Sequence, residues 1–287
     1  MTSKAIVDLA AYFERIRYGG PTTRALSTLH GIAAAHVAAI PFENLDVLLG
    51  RTLSLAPERI AQKLLSERRG GYCFEQNTLL LHVLTALGFQ VRALSARVRV
   101  QQQRDFVPPR THMFLRVELE GASWLVDVGL GGFSLTSALR LEADVSQSTP
   151  HEPRRIVREG DWSGFERRAP DARLFHQAHF AGAWHDICDF TLEEMPEIDR
   201  VLANWYTSTH PASHFRSRLM VARALPQGRA TLVNRELTLR RLDGSVAETT
   251  VLASPEQLLS ALARHFELCL PEGTRFACPG LQWPQQD

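Results

Sequence analysis

Cys73, His112 and Asp127 are the residues whose types could together carry out nucleophilic chemistry, and the sequence around each supplies a setting for it. Cys73 stands in Arg69-Gly70-Gly71-Tyr72-Cys73-Phe74-Glu75-Gln76-Asn77, a glycine turn that runs into a helical pattern. Phe74, Leu80, Leu81, Leu84 and Leu87 recur on one side of a helix expected from Cys73 to Leu87, with Gly88 as its stop. Two glycines permit backbone angles closed to other residues and leave room beside the sulfur, so the thiol is expected in the first helical turn. Unpaired backbone N–H groups and the positive end of the helix dipole favour a thiolate in such a position. The bland alternative is a small buried residue after a turn, so the partners decide.

A nucleophilic thiol needs a base, and the base needs an orienting group. Thr111 to Leu119 alternates as a strand, Glu120-Gly121 reads as a turn, and Trp124 to Val128 reads as the returning strand. If that turn has two residues, Leu119 pairs with Ala122 and Asp127 falls opposite Phe114, which shares a face with His112. His112 and Asp127 are then diagonal neighbours, near enough for a carboxylate to hold an imidazole. An odd turn length would send them to opposite faces. In the even register Asp127 orients His112, and His112 takes the proton of Cys73.

The elements around these residues fall into three units. Residues 1–88 read as helical: Leu9 to Arg17, Thr22 to Ala39 after Gly19-Gly20-Pro21, Ala56 to Ser66 with Pro57 at a first helical position, then the Cys73 helix. Ile40 to Asp46 interrupts that pattern. After Gly88 the period changes to two, and residues 89–195 read as a β-rich unit in which Gln101 to Arg110 forms a loop long enough to be functional. Residues 134 to about 186 carry strand fragments around polar loops such as Arg158-Glu159-Gly160-Asp161. Pro196 to Ser208 reads as a helix bridging two units, with Ile198, Val201, Leu202 and Trp205 at helical spacing. The remainder of 196–287 reads as a meander of Leu219 to Ala224, Ala230 to Leu242 and Ser245 to Leu252. Ser254-Pro255-Glu256-Gln257 then caps a final helix, Leu258 to Phe266.

Composition narrows the partners. The chain has 287 residues, 45% of them hydrophobic, and 32 basic against 31 acidic side chains, so net charge marks neither a nucleic-acid footprint nor a polybasic membrane patch. The first residues are broken by charge, and no apolar run approaches the roughly 18 needed to span a bilayer, which reads as cytoplasmic. Cys73, Cys188, Cys269 and Cys278 include no C-x-x-C pair, and the last three read as packing residues. His210 and His214 stand four apart, but Pro211 breaks the helix that would align them, so no metal is expected. Gly129-Leu130-Gly131-Gly132 lacks the spacing and following helix of a dinucleotide site, and there is no G-x-S-x-G serine elbow.

With these residues in view, the chain resembles the arylamine N-acetyltransferase family. The resemblance rests on Ile40-Pro41-Phe42-Glu43-Asn44-Leu45, the Arg69 to Asn77 stretch, Thr111-His112-Met113, Asp127-Val128-Gly129-Leu130-Gly131, and Asn204-Trp205-Tyr206 to Phe215, in family order. It implies an α+β fold with a helical domain, a central β-barrel and an α/β lid joined by an interdomain helix, around a cysteine-protease-like catalytic core. It implies a Cys-His-Asp triad on Cys73, His112 and Asp127, and acetyl-CoA as donor to aromatic amines, hydrazines or N-hydroxyarylamines, the chemistry of xenobiotic metabolism. Backbone N–H groups near Cys73 and Thr111 would hold the oxyanion. Phe42, Val98 and Phe133 would line the acceptor slot, while Gly129 and Gly131 would let the CoA chain approach the backbone, with Thr207 to Pro211 as a further CoA contact. Glu43 and Arg15 would form a buried pair. The same triad also fits an amide synthase that closes polyketide macrolactams, and more remotely a cysteine hydrolase or a non-catalytic binding module. A monomer or a homodimer is expected.

Overall fold

The computed structural model describes residues 7–159 and 173–284, so Gly160 and Asp161 of the polar loop lie outside the described residues. The Glu120-Gly121 turn sets the register of the larger sheet. Both residues have positive φ, 53° and 76°, which is what a two-residue turn between twisted strands requires. Leu119 therefore pairs with Ala122, and Leu115 with Val126. From this hairpin an eight-stranded antiparallel sheet grows in the order Leu139–Arg140, Ala122–Val126, His112–Leu119, Gln90–Val98, Ala183–Glu194, Leu174–Phe180, Arg154–Arg158 and Ser146–Gln147. It curls into a nearly closed barrel. The Gln147 side chain makes two hydrogen bonds to the Arg140 backbone, 2.8 and 2.9 Å, and so joins the two edge strands.

Alternation along His112–Leu119 splits the core. Phe114 turns inward with Leu94, Ala96, Leu125, Ile156 and Phe190 to fill the barrel. Met113, Leu115 and Val117 turn outward against the helices Leu9–Ile16, Leu26–Ala39 and Cys73–Ala86, where Phe74, Leu80 and Leu84 are fully buried. At about 1.5–3 kcal/mol for each large apolar side chain removed from water, this shared layer fixes the cysteine helix on the barrel wall.

A second antiparallel sheet runs Phe42–Glu43, Met220–Leu225, Gly228–Val233, Glu236–Arg241 and Val246–Val251, backed by the helix Pro255–Phe266. The segment expected as one strand from Ala230 to Leu242 is a hairpin, because Asn234 turns the chain at φ 53°. Ile40 to Asp46 does more than interrupt helices: Phe42 pairs with Ala222 and gives this sheet its first strand. At the start of the last helix the Gln257 amide donates to the Ser254 hydroxyl at 3.3 Å, and the Gln257 side chain accepts the Ala253 amide at 2.7 Å.

The bridging helix, Glu197–Thr209, forms where its spacing predicts it. Its apolar residues face water, with Ile198 62%, Leu202 59% and Trp205 60% exposed, and its buried residues are Asn204 and Thr207. Polar bonds hold it instead: the Tyr72 hydroxyl donates to the Asn204 side chain, which in turn donates to the Leu53 carbonyl at 3.2 Å. Cys188 and Cys278 are buried as expected of packing residues, whereas Cys269 lies on the surface.

Candidate active site

Cys73 is the first residue of its helix. The Glu75 carboxylate accepts the Tyr72 amide at 3.1 Å, and Glu75 and Gln76 donate their amides to the Tyr72 carbonyl, which closes the first turn. The amide of Cys73, at the head of the helix, has no acceptor one turn earlier within it. Gly70 and Gly71 are needed for space and not for unusual backbone angles, since the positive φ in this turn belongs to Arg68. A β-carbon on Gly70 would lie 2.2 Å from the Pro41 carbonyl oxygen, and one on Gly71 would lie 2.8 Å from the Glu75 carboxylate. Their room is filled by protein and does not open beside the sulfur.

Beneath the turn lies a buried ionic cluster. Arg69 bridges Glu43 at 2.8 Å and Asp46 at 3.2 Å, and Lys63 bridges Asp46 at 2.8 Å and Glu75 at 2.7 Å. Glu43 thus pairs with Arg69, correcting the expected pair with Arg15. The Arg15 guanidinium donates to the carbonyls of Leu64 and Ala39 at 2.9 and 2.6 Å, a carbonyl cage that has no need of a carboxylate.

His112 and Asp127 meet as the even register requires. His112 Nε2 lies 2.7 Å from Asp127 Oδ2, and both residues are 2% exposed. Burial works against the charged imidazole, but the Asp127 charge and hydrogen bond, with the Cys73 sulfur, outweigh it and raise the His112 pKa to about 10. Burial likewise disfavours the Asp127 carboxylate, and His112, Asn77 and the Gly129 amide together hold its pKa below the usual range. With Nε2 committed to Asp127, the other ring nitrogen is left for Cys73. The thiol also lies 3.7 Å from the Thr111 carbonyl.

Asn77, one helical turn after Cys73 and so on the same face, completes the frame. Its side-chain nitrogen donates to Asp127 Oδ1 at 3.1 Å and to the Met113 carbonyl at 2.7 Å, and its oxygen accepts the Val128 amide at 3.1 Å. Sequence reasoning gave Asn77 no role, although its spacing of four from the thiol was the available signal. Gly129 packs directly on the nucleophile on the side where a β-carbon would stand. Gly131, at φ 60°, lies against the Phe42 ring. Thr111 brings its carbonyl to the sulfur, but its amide already donates to the Pro109 carbonyl at 3.0 Å.

The apolar residues divide into two groups. Val98 and Phe133 share a small cluster with Leu130, Ala178, Ile187 and Phe180, in which the Phe133 and Phe180 rings lie 5.5 Å apart. Phe42 stands apart from it, 6.2 Å from Phe215. Asn44 anchors Phe215 by donating to its carbonyl at 2.7 Å. Sequence reasoning left Phe180 and Phe215 without roles. The first lies in a segment whose strands it could not read; the second it quoted only as the end of a motif. A hollow of about 430 Å³ opens beside Thr111, lined also by Ser95, Arg110, Met195, Ala203 and Tyr206.

A helix-borne cysteine facing a buried His-Asp pair at a barrel mouth is the frame of an acyl-transferring enzyme. Residues 25–275 match the family model described as N-acetyltransferase. The arylamine N-acetyltransferase of Mycolicibacterium smegmatis is 42% identical over 268 residues, covering 92% of this chain and 93% of the relative. The arylamine N-acetyltransferase / N-hydroxyarylamine O-acetyltransferase of Salmonella typhimurium is 40% identical over 264 residues, 91% of this chain and 88% of the relative. The structure of the Mycobacterium marinum arylamine N-acetyltransferase in complex with CoA superposes with a TM-score of 0.83 at 37% identity, covering 91% of this chain and 92% of that one. The chain belongs to the arylamine N-acetyltransferase family, and it is an acyltransferase.

Proposed function

We propose that the protein moves acetyl from acetyl-CoA to arylamines, arylhydrazines or N-hydroxyarylamines by a ping-pong reaction through acetyl-Cys73. The observation that carries this reading is the buried 2.7 Å contact between His112 and Asp127 beside a thiol at a helix N-terminus. His112 holds the proton of Cys73, and the thiolate attacks the thioester carbon of acetyl-CoA. Amides at the start of the cysteine helix stabilise the oxyanion as the new C–S bond forms. The bond to CoA breaks, and the departing sulfur takes the proton from His112. In the second half-reaction the amine nitrogen attacks the acetyl-cysteine carbonyl, His112 accepts the amine proton, and Cys73 leaves as thiolate. Thioester exchange is nearly isoenergetic and amide formation is downhill, so the reading requires neither metal nor ATP.

Phe42, Val98 and Phe133 form the walls of the acceptor slot in this reading, with Phe180 and Phe215 beside them. The bound CoA of the M. marinum relative supports CoA as the donor here, and the hollow beside Thr111 offers it room. Residues 1–88, 89–195 and 196–287 act as helical, barrel and lid units. Among the described residues, no helix is long and apolar enough to cross a membrane.

The test is to incubate the protein with acetyl-CoA alone, weigh it, and then add an aromatic amine. One acetyl on Cys73 that is stable in water and discharged by the amine is the expected result. Absence of acetylation while CoA is bound would overturn the reading, and rapid loss of the acetyl to water would make the protein a hydrolase.

A further inference from the structure

Behind the Phe133 turn lies a second set of buried charges with no part in the triad. Glu152 is 5% exposed, Arg154 1% and Arg229 6%. Arg154 begins a barrel strand, Glu152 lies in the bend that leads into it, and Arg229 belongs to the second sheet. The Glu152 carboxylate takes Arg154 on one oxygen and Arg229 on both, the latter at 2.9 and 3.3 Å. Each guanidinium has a second task. Arg154 donates to the Phe133 carbonyl at 3.1 Å and Arg229 to the Ser134 carbonyl at 3.0 Å. The carboxylate thus fixes two cations, and the cations fix two successive carbonyls of one turn.

That turn joins Asp127 to the apolar cluster. The Leu135 amide donates to the Asp127 carbonyl at 2.7 Å, and the Ser134 hydroxyl accepts the Leu130 amide at 2.9 Å. Between these ties the Phe133 ring projects to Phe180. Next to Glu152, His151 spans the same seam, with Nε2 shared between the Leu225 and Gly228 carbonyls at 3.0 Å each and Nδ1 at 3.1 Å from the Thr136 hydroxyl. Two buried cations facing each other repel unless an anion lies between them, and a buried pair stripped of one partner is strongly destabilised. Burial disfavours the Glu152 carboxylate, yet Arg154 and Arg229 hold its pKa down to about 2, so it stays ionised at any working pH.

We propose that Glu152 is a positioning residue for the acceptor: through Arg154 and Arg229 it locks the Phe133–Ser134 backbone to both sheets and so sets the width of the aromatic slot. This rests on the acetyltransferase reading and deepens it. The latched turn reaches Asp127 at its backbone carbonyl, whereas the Asp127 side chain is held by His112, Asn77 and the Gly129 amide, so donor chemistry leans far less on the latch than the slot does.

The experiment separates the half-reactions of the full-length enzyme. In Glu152→Gln, acetylation of Cys73 by acetyl-CoA, followed by mass, is expected within about threefold of wild type, while KM for an arylamine rises about tenfold with kcat little changed. The preference between a one-ring and a two-ring arylamine is expected to shift at least about fivefold, because the slot loses its set width. A merely structural role would lower both substrates alike. Arg229→Lys keeps the charge but loses the planar fork that grips both Glu152 oxygens, and it carries the same readout in the same direction if Glu152→Gln does not fold. Unchanged KM and ring preference in a folded variant, or a parallel fall in acetylation, overturns the inference. Failure of wild type to take acetyl at all would instead overturn the acetyltransferase reading.

Discussion

Gly129 packs so closely on Cys73 that a β-carbon there would lie 2.5 Å from the Cys73 Cα and 2.8 Å from the Asn77 side-chain nitrogen. Neither neighbour can yield, since one is helix backbone and the other is bonded to Asp127. Gly129→Ala is therefore expected to push the cysteine helix off the barrel. The cost is about 1–3 kcal/mol of stability, with an acetylation rate down about 100-fold from misplacement of the thiol. Thermal melts and timed mass spectra measure the two effects. An alanine variant as stable and as fast as wild type would mean that the helix and the loop after Val126 can part freely.

The His112–Asp127 contact gives both a rate and a pH dependence. Asp127→Asn retains the shape but loses the charge that holds the imidazolium, and kcat is expected to fall by roughly 10³–10⁴. The stability argument has a definite sign. His112 has its pKa raised from 6.5 to about 10, so its contribution is fully present below pH 6.5 and is lost as pH rises through about 10. Asp127 has its pKa lowered from 3.8, so its contribution is present above that value and is lost as pH falls through the depressed pKa. The melting-temperature gap between wild type and Asp127→Asn should be widest between about pH 4 and 6.5 and should narrow toward pH 10. A gap constant across that range would remove the ion pair from the account.

Asn77 satisfies three buried partners at once, and Asn77→Ala orphans the Met113 carbonyl and the Val128 amide while releasing Asp127. Each buried orphan costs about 1–3 kcal/mol. The variant is expected to melt well below wild type and to acetylate about 10–100 times more slowly, less severely than Asp127→Asn because the His112 bond to Asp127 Oδ2 survives. Histidine proton spectra, with the His112 resonance still hydrogen-bonded, distinguish this from collapse of the pair.

The site was legible in the sequence where local rules act. A thiol at a helix start, a two-residue turn and a period of two were enough to bring His112 and Asp127 to one face. Illegible were choices decided across the molecule. Glu43 had several arginines to choose from, and packing gave it Arg69. Gly70 and Gly71 looked like conformational hinges, but Pro41 and Glu75 need their space. Phe180, which packs on Phe133, sits on a barrel strand whose long-range pairing no local pattern announces, and Glu152 joins segments more than seventy residues apart in a turn-rich region.

The bridging helix is the sharpest case, because its apolar spacing marks a helix but does not say which face is buried. Ile198, Val201, Leu202 and Trp205 keep helical periodicity yet face water, while Asn204 alone ties the helix to Tyr72 and Leu53. Burial of a large apolar residue would make truncation cost about 3–5 kcal/mol, whereas an exposed position away from polar ties costs within about 0.5 kcal/mol. Trp205→Gln and Leu202→Gln are therefore expected to melt with wild type, and Asn204→Ala, which removes the bond to the Leu53 carbonyl and leaves the Tyr72 hydroxyl only the long 3.4 Å bond to the backbone carbonyl of residue 204, to lose about 1–3 kcal/mol. Chemical denaturation of the three variants reads the order directly. A large loss in Trp205→Gln with none in Asn204→Ala would reverse the assignment of which face of this helix holds it to the protein.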